Sequence, residues 1–157
     1  MEKKISDWKK TFLDTDEMWP KETHVELEEP HKDNRGSIQP LVNFPIKNVS
    51  LITSVKGSVR SNHYHKTNWH YMYMISGTAD YYFRSAGSKE KPSIKRWKTG
   101  ELIFTPPLEE HTTVFLEDST FLVINRNSGD QESYEEDVVR VQLIDPNTIK
   151  NGNTNIL

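Results

Sequence analysis

Short runs of β-branched and aromatic residues, separated by glycine, proline and polar turns, follow one another from Val49 to Ile144. Runs of this length and composition are typical of the strands of a sandwich or barrel. The sequence therefore predicts an all-β domain. The predicted strands are residues 49–55, 69–75, 79–84, 94–98, 101–104, 112–116, 120–125 and 138–144.

The chain of 157 residues is long enough for one domain with a sizeable core and too short for two. We expect residues 46–145 to form a β-barrel, residues 1–45 to form an arm of the same domain, and residues 146–157 to form a flexible tail. In the arm, residues 5–12 are predicted to form a short helix with Trp8 and Phe12 on one side. Strands are predicted at residues 24–28 and 37–42, on either side of a turn-rich segment.

Composition narrows the classes of partner. The formal net charge of −3 argues against a nucleic-acid-binding face, which needs a basic surface. The chain has no cysteine, which rules out disulfides and thiolate metal sites. We find no apolar run of the length that spans a membrane, and no signal peptide. The expectation is a cytoplasmic protein with a small-molecule partner and no membrane association.

Four of the six histidines lie in a pattern that predicts one metal site. His63 and His65 are two residues apart, so on a strand they point to the same face. His70 lies beyond a polar bend, and a strand returning from that bend would bring it opposite His65. His111 follows a Pro-Pro turn. Imidazole nitrogens suit a divalent ion, with Zn, Fe, Ni or Mn as candidates. The alternative is that these are unrelated strand histidines.

Alternation along residues 69–75 predicts which side chains share the cavity with the metal. If His70 points inward, so does Met72, while Trp69, Tyr71 and Tyr73 face the other way. Both faces are then apolar, so the outer face must be covered by the arm or by a second subunit, and we expect a homodimer. Pairing across the Ser76-Gly77 turn would place Ala79, Tyr81 and Phe83 on the inner side. We therefore predict Met72, Tyr81 and Phe83 as substrate contacts.

The two histidine segments resemble the two motifs of the cupins. The first motif is matched at Gly57, His63, His65 and Gly77, with His70 where the family usually has glutamate, and the second is matched at Gly100, Pro106 and His111. The second departs at Leu108 and Phe115, where glycine and asparagine are usual. The resemblance implies a double-stranded β-helix, or jelly roll.

Glu109 and Glu110 directly precede His111 in the sequence. Each either accepts a hydrogen bond from the ring N–H of a metal-binding histidine or, as we favour, is solvated.

A second resemblance narrows the branch of cupins. Residues 59–66, with the run Arg60-Ser61-Asn62-His63, are similar to a segment in three groups of enzymes. These are the cupin domain of capsular-polysaccharide sugar-nucleotide enzymes, the dTDP-4-dehydrorhamnose 3,5-epimerases and the dTDP-keto-sugar 3,4-ketoisomerases. Residues 33–36 are similar to the Asp-x-Arg-Gly of the epimerases. The resemblance implies that His63 is a catalytic base, and that Arg60 and Arg35 hold nucleotide phosphates. Ser61 departs from the usual glycine.

These resemblances imply an isomerase or epimerase acting on a keto-sugar, possibly nucleotide-linked, in polysaccharide biosynthesis. The lone pair of one His63 nitrogen cannot serve both a metal and a proton, so His63 is either a metal ligand or a free base. One alternative function is a non-haem iron dioxygenase with an all-histidine site. The other is a non-catalytic sugar-binding or regulatory cupin.

Overall fold

The computed structural model of the chain describes residues 19–150. The described residues form twelve strands and two short helices. The strands are β1 (His24–Val25), β2 (His31–Asp33), β3 (Gly36–Ile38), β4 (Asn48–Ser54), β5 (Val59–His65), β6 (His70–Ser76), β7 (Thr78–Ser85), β8 (Ser93–Lys98), β9 (Leu102–Thr105), β10 (Glu109–Phe115), β11 (Ser119–Asn125) and β12 (Val138–Arg140). The helices are α1 (Gln131–Asp137) and α2 (Pro146–Lys150).

Two five-stranded antiparallel sheets face each other. The first sheet has the order β1-β9-β6-β11-β4, and the second has the order β12-β5-β10-β7-β8. Strands β2 and β3 form a separate exposed hairpin. The predicted all-β jelly-roll architecture is confirmed. Within residues 19–150, no helix is long and apolar enough to cross a membrane.

The core lies between the two sheets because the strands alternate inward and outward side chains. Tyr81 and Trp97 from the second sheet are fully buried against Met74 and Ile103 from the first. The inward position of Ala79 and Tyr81 agrees with the prediction.

The predicted pairing of β6 with β7 is wrong, because these strands belong to different sheets. The chain crosses between the layers at Gly77, which has a φ of 109°. A Cβ atom there would lie 2.7 Å from the Cα atom of Ser119, so no larger residue fits without a shift of the backbone. The short turn between β6 and β7 therefore carries the chain from one sheet to the other and does not close a hairpin.

The arm covers part of the outer face of the first sheet. Trp69, Tyr71 and Phe104 are nearly fully buried there, with Trp19 and Phe44 packed against them. The Phe44 and Tyr71 rings stack with centroids 6.5 Å apart. The predicted cover by the arm is therefore present within one chain, and burial of Trp69 and Tyr71 does not need a second subunit. The homodimer stays a prediction.

The end of the described chain differs from the expected elements. The predicted helix at residues 5–12 lies outside the described residues and stays a prediction. At the other end, Leu143 and Ile144 are fully buried against Tyr82 and Val114, and helix α2 forms where we expected a flexible tail. The apolar residues that precede Pro146 hold this part of the chain against the second sheet.

Helix α1 and strand β2 were not predicted. Strand β5, which carries His63 and His65, was missing from the predicted strands because its sequence is mostly polar.

Candidate metal centre and substrate cavity

Three histidines converge on the inner face of the second sheet. Strands β5 and β10 pair with His63 opposite His111, and His65 lies two residues further along β5. The ring centroid of His63 lies 4.8 Å from that of His65 and 4.7 Å from that of His111. One ligand nitrogen from each of the three residues lies within 4.8 Å of the others. Such a set can close around a single metal ion with a small adjustment of the side chains.

His70 lies beside this set but outside it. It is on β6 of the first sheet, so it faces the other three from across the sandwich and does not return beside His65 in a hairpin. Its ring centroid lies 5.4 Å from those of His65 and His111. The four-histidine ligand set stays a prediction: three of its members have ligand atoms within 4.8 Å of one another, and His70 is their buried neighbour.

All four imidazoles are held in the neutral form. Burial first, and then the neighbouring His65, lower the pKa of His63 to about 3. Burial also lowers the pKa of His65, although Asp137 opposes that shift. The pKa values of His70 and His111 lie well below the ordinary value for the same first reason. A neutral imidazole keeps one nitrogen lone pair, which a metal requires.

The hydrogen bonds of His111 show which of its two ring nitrogens carries the lone pair. Its Nδ1 lies 2.9 Å from the backbone carbonyl oxygen of Glu109, which can only accept a hydrogen bond, so Nδ1 carries the proton. Its Nε2 is buried and has no hydrogen-bond partner among the described residues. An unpaired buried acceptor costs on the order of 1–3 kcal/mol. A metal ion among the three histidines would remove this cost, so the residues fit such an ion.

His65 is oriented by Asp137 at the end of α1. The Oδ2 atom of Asp137 lies 3.0 Å from Nδ1 of His65. Burial by itself raises the pKa of Asp137, but hydrogen bonds from Thr67 and Asn68 outweigh it, and the net shift is downward. The carboxylate is therefore charged and accepts the Nδ1 proton, which leaves the lone pair of His65 on Nε2, where it could bind a metal. A carboxylate in this place is the usual partner of a metal-binding histidine.

The two glutamates next to His111 are not solvated, contrary to the favoured prediction. Glu110 is 5% exposed and pairs with Arg84 at 2.7 Å. The carboxylate of Glu109 accepts a hydrogen bond from Tyr81 at 3.0 Å, and burial raises the pKa of Glu109 to about 7. Both belong to the second sheet behind His111, where the barrel wall excludes water.

Asn62 anchors the strand that carries His63 and His65. Its Oδ1 accepts hydrogen bonds from the backbone N–H groups of Leu143 and Ile144 and from Oγ1 of Thr112, and its Nδ2 donates to the carbonyl of Ile144. Ser61 and Asn62 have φ values of 78° and 54°, in the left-handed region. Ser61 therefore occupies a conformation that suits the glycine of related motifs.

A cavity of about 340 Å³ opens above the histidines. Arg60 lines it, and its Nε donates to Oγ of Ser54 at 2.6 Å while its Nη2 donates to the carbonyl of Thr53 at 3.0 Å. Tyr134 of α1 also lines it, with its hydroxyl 3.4 Å from Nδ1 of His63. The other lining side chains include many neutral polar groups: Asn48, Ser50, Asn68, Thr113, Asn125, Asn127, Ser128, Gln131 and Ser133. Apolar side chains also line it, among them Ile52, Met72 and Phe121, so the cavity can hold a ligand that has both hydroxyl groups and apolar faces.

Comparison with known proteins agrees with this architecture. The family described as the polysaccharide biosynthesis C-terminal domain matches residues 31–127, which is more than half of the chain. This chain belongs to that family. A search of curated proteins gave no match.

Solved structures with the same fold are sugar-nucleotide cupins. A double mutant of QdtA, a 3,4-ketoisomerase from Thermoanaerobacterium thermosaccharolyticum, in complex with TDP is 25% identical, with a TM-score of 0.58 over 71% of this chain and 82% of that chain. The capsular polysaccharide assembling protein CapF from Staphylococcus aureus is 21% identical, with a TM-score of 0.55 over 74% of this chain and 34% of that chain. ChmJ, a 3'-monoepimerase from Streptomyces bikiniensis in complex with dTDP-quinovose, is 17% identical, with a TM-score of 0.56 over 69% of this chain and 65% of that chain. The predicted resemblance to such enzymes is confirmed.

Five residues of this polysaccharide biosynthesis domain were predicted to contact substrate. Arg60 and Met72 line the cavity, whereas Arg35, Tyr81 and Phe83 do not. Arg35 is 83% exposed on the β2–β3 hairpin and pairs with Asp33 at 2.6 Å. Tyr81 is fully buried behind His111, and Phe83 stacks on it with ring centroids 5.6 Å apart. The inward direction of Tyr81 was predicted correctly, but it points into the core below the cavity floor.

Two residues of the site had no signal in the sequence. Asp137 and Tyr134 both belong to α1, which approaches the histidines only through the tertiary fold. Tyr134 lies on a segment dominated by acidic residues, which reads as a solvated turn. In this family member, α1 therefore supplies both the carboxylate behind His65 and a hydroxyl in front of His63.

Proposed function

We propose that the chain binds one divalent metal ion through His63, His65 and His111 and catalyses isomerisation or epimerisation of a nucleotide-linked keto-sugar. The observation that carries the proposal is the convergence of three neutral imidazoles beneath a cavity of about 340 Å³ that both polar and apolar side chains line. The ketoisomerase QdtA, crystallised with TDP and 25% identical, supports the reaction class. Activity in polysaccharide biosynthesis follows from the family description.

The ligand set constrains the ion. Three imidazole nitrogens suit Zn, Fe or Ni better than Mg or Ca. Three neutral ligands leave the charge of a divalent ion uncompensated, so the site favours an anionic or electron-rich oxygen in the open positions. When bound, the ion supplies Lewis-acid stabilisation of the negative charge that develops on a ketone oxygen.

The reaction needs a group that removes a proton from the carbon next to the ketone. The electron pair of that C–H bond moves toward the carbonyl, and the proton then returns to the opposite face of the same carbon or to the former ketone carbon. The first return gives an epimer. The second moves the keto group, provided that the hydroxyl on the neighbouring carbon loses its proton and the former ketone oxygen gains one. Both outcomes use the same proton abstraction.

Tyr134 and His63 are the two groups placed to move this proton. If the lone pair of His63 is used by the metal, the Tyr134 hydroxyl is the remaining protic group beside the histidines. Burial raises the pKa of Tyr134, so its phenol is protonated at neutral pH and can return a proton but not remove one. With His63 on the metal, removal of the proton would fall to a water activated by the ion. If no metal binds, His63 is neutral and serves as the base itself.

Arg60 provides the attraction for the nucleotide diphosphate. Ser54 and Thr53 hold its guanidinium at the cavity, so little side-chain entropy is lost when a phosphate binds. A guanidinium recognises phosphate through short charge-assisted hydrogen bonds. The neutral polar side chains on the cavity wall would then contact the sugar hydroxyls.

Hydrogen exchange tests the proposal directly. Protein loaded with metal is incubated in D₂O with a dTDP-linked 4-keto-6-deoxyhexose, and deuterium at the carbons next to the ketone is measured by mass spectrometry. Exchange is expected even without net product, because proton abstraction is common to both reactions. A His31→Asn variant on the exposed hairpin is the matched control and should exchange normally. Absence of exchange together with O₂ uptake on small diketones would favour the dioxygenase.

A further inference from the structure

One hydroxyl group in the cavity takes no part in the hydrogen bonds that hold the fold together. Thr113 on β10 is 3% exposed and lines the cavity. Its hydroxyl makes no hydrogen bond to any group within residues 19–150, whereas the hydroxyl of Thr112 beside it donates to Asn62. A buried polar group without a partner costs on the order of 1–3 kcal/mol. The hydroxyl of Thr113 is therefore placed to bond a ligand.

A bulge in β5 brings Arg60 next to Thr113. Regular alternation would place Arg60 and His63, three residues apart, on opposite faces of the sheet. In the pairing with β10, His63 lies opposite His111. One extra residue in β5, Asn62 with a φ of 54°, then shifts the register, so that Arg60 lies opposite Thr113. The two residues therefore form a cross-strand pair on the cavity face.

Aromatic rings close the cavity beyond this pair. Phe115 lies two residues after Thr113 on the same strand, and its ring stacks on that of Phe121 from the first sheet with centroids 5.4 Å apart. A ligand that reaches from the histidines to Thr113 is therefore blocked in that direction. Its continuation turns toward Arg60, which is exposed at the outer side of the cavity.

We propose that the hydroxyl of Thr113 and the guanidinium of Arg60 together hold the phosphate on the anomeric carbon of the sugar. This inference rests on the function proposed above, because it takes the ligand to be a nucleotide-linked sugar. The guanidinium supplies the charge, and the hydroxyl donates a hydrogen bond to a phosphate oxygen. The apolar neighbours exclude water and so strengthen both contacts.

The proposed contact fixes the direction in which the substrate lies. Thr113 is two residues beyond His111 on one strand, which is about 7 Å. That separation is comparable with the reach from an anomeric phosphate across one sugar ring. The ketone at the histidines would therefore be on the side of the ring opposite the anomeric carbon, and the nucleoside would leave the cavity past Arg60.

Removal of one oxygen atom tests the contact. Titration calorimetry measures the binding of dTDP-glucose and of dTDP, so no reaction is needed. Thr113→Val keeps the branched shape of the side chain without its hydroxyl, and should weaken the binding of both by about tenfold or more, as expected for a lost hydrogen bond to a charged group. Thr113→Ser keeps a hydroxyl and should bind like the wild type. Thr120→Val, the same change on β11 outside the cavity lining, is the matched control.

Urea denaturation separates a ligand contact from a structural role. Thr113→Val should be as stable as the wild type, since the hydroxyl has no partner in residues 19–150. Thr112→Val should be less stable, because its hydroxyl donates to Asn62. A loss of stability in Thr113→Val as large as that in Thr112→Val would assign the Thr113 hydroxyl to the fold and overturn the inference.

The binding results also separate this inference from the proposed function. Unchanged binding in Thr113→Val, or equal weakening in the valine and serine variants, would overturn the role of the hydroxyl, and normal exchange of the proton next to the ketone would leave the proposed function standing. In Arg60→Ala/Thr113→Val, the loss should be smaller than the sum of the single losses, because both groups contact one phosphate. Additive losses would place them on separate groups of the ligand and overturn the shared contact. Failure of the wild type to bind either dTDP-glucose or dTDP would overturn the nucleotide-linked substrate, and this inference with it.

Discussion

The carboxylate of Asp137 lies 3.0 Å from Nδ1 of His65, although 72 residues separate them in the chain. The same carboxylate accepts hydrogen bonds from the backbone N–H groups of Thr67 and Asn68. It therefore fixes the bend after β5 and the orientation of the His65 ring together. The position of α1 thus decides how the His65 ring is oriented beside His63 and His111.

Asp137→Asn should weaken metal binding by about 10- to 100-fold, the usual effect of removing a carboxylate behind a histidine ligand. The amide keeps the size of the side chain but loses the charge that holds the Nδ1 proton of His65. Affinity is measured by competition with a fluorescent zinc chelator. Glu132→Gln, on the first turn of the same helix, is the control and should bind like the wild type. Equal affinity of both variants would contradict the assigned role of Asp137.

The histidines should separate into three ligands and one neighbour. His111→Gln is expected to lose bound metal, because Nε2 of His111 is the buried unpaired acceptor of the set. His70→Glu is expected to retain metal and fold, with a change in ion preference, since a carboxylate near the ion lowers the net positive charge of the site. Elemental analysis of protein purified without a chelator or a histidine tag gives the stoichiometry. Loss of metal from a folded His70→Glu variant would make His70 a ligand.

Tyr134→Phe should lower the rate of proton exchange by at least about 100-fold while metal content stays the same. The change removes only the hydroxyl that lies 3.4 Å from Nδ1 of His63. Exchange in D₂O and elemental analysis are measured on the same preparation. An unchanged rate in a metal-loaded variant would leave His63 or a metal-bound water as the proton carrier. Tyr64→Phe, on the same strand as His63 but absent from the cavity lining, is the control.

Arg60→Ala should weaken binding of the nucleotide sugar by about tenfold or more and leave binding of the free sugar unchanged. The guanidinium lines the cavity and is held there by Ser54 and Thr53. Arg35→Ala is the matched control, because Arg35 pairs with Asp33 on the hairpin. Titration calorimetry with both ligands separates a phosphate contact from a general loss of fold. Weaker binding of the nucleotide sugar by Arg35→Ala would instead support the phosphate contact that the resemblance of residues 33–36 implies for Arg35.

Asn62→Ala should lower the free energy of unfolding by about 3 kcal/mol or more, since several buried polar groups would lose their partners. Three donors and one carbonyl are satisfied by this side chain. Asn62→Asp should cost less, because its carboxylate still accepts from Leu143 and Ile144. Urea denaturation measures both variants. Equal loss in the two would show that acceptance by Oδ1 is not the main contribution.

The sequence by itself determined the parts of the protein that depend on local geometry. The period of two along a strand places His63 and His65 on one face, and that relation holds in the structure. Alternation also predicted correctly that Met72 and Tyr81 point inward and that Tyr71 needs a cover on the outer side. The recurring short runs predicted all the strands of residues 19–150 except β2 and β5. The paired motifs predicted that His111 joins the histidines.

Only the tertiary structure decided which strands share a sheet and which distant groups complete the site. The crossing at Gly77 puts β6 opposite β5, so His70 faces the other histidines from the other layer. Burial of Leu143 and Ile144 holds the end of the chain against the second sheet, and α1 carries Asp137 and Tyr134 to the cavity. The contacts of Asp137 with His65 and of Tyr134 with His63 join residues about 70 positions apart. No local periodicity specifies them, because they depend on the summed burial of whole sheets.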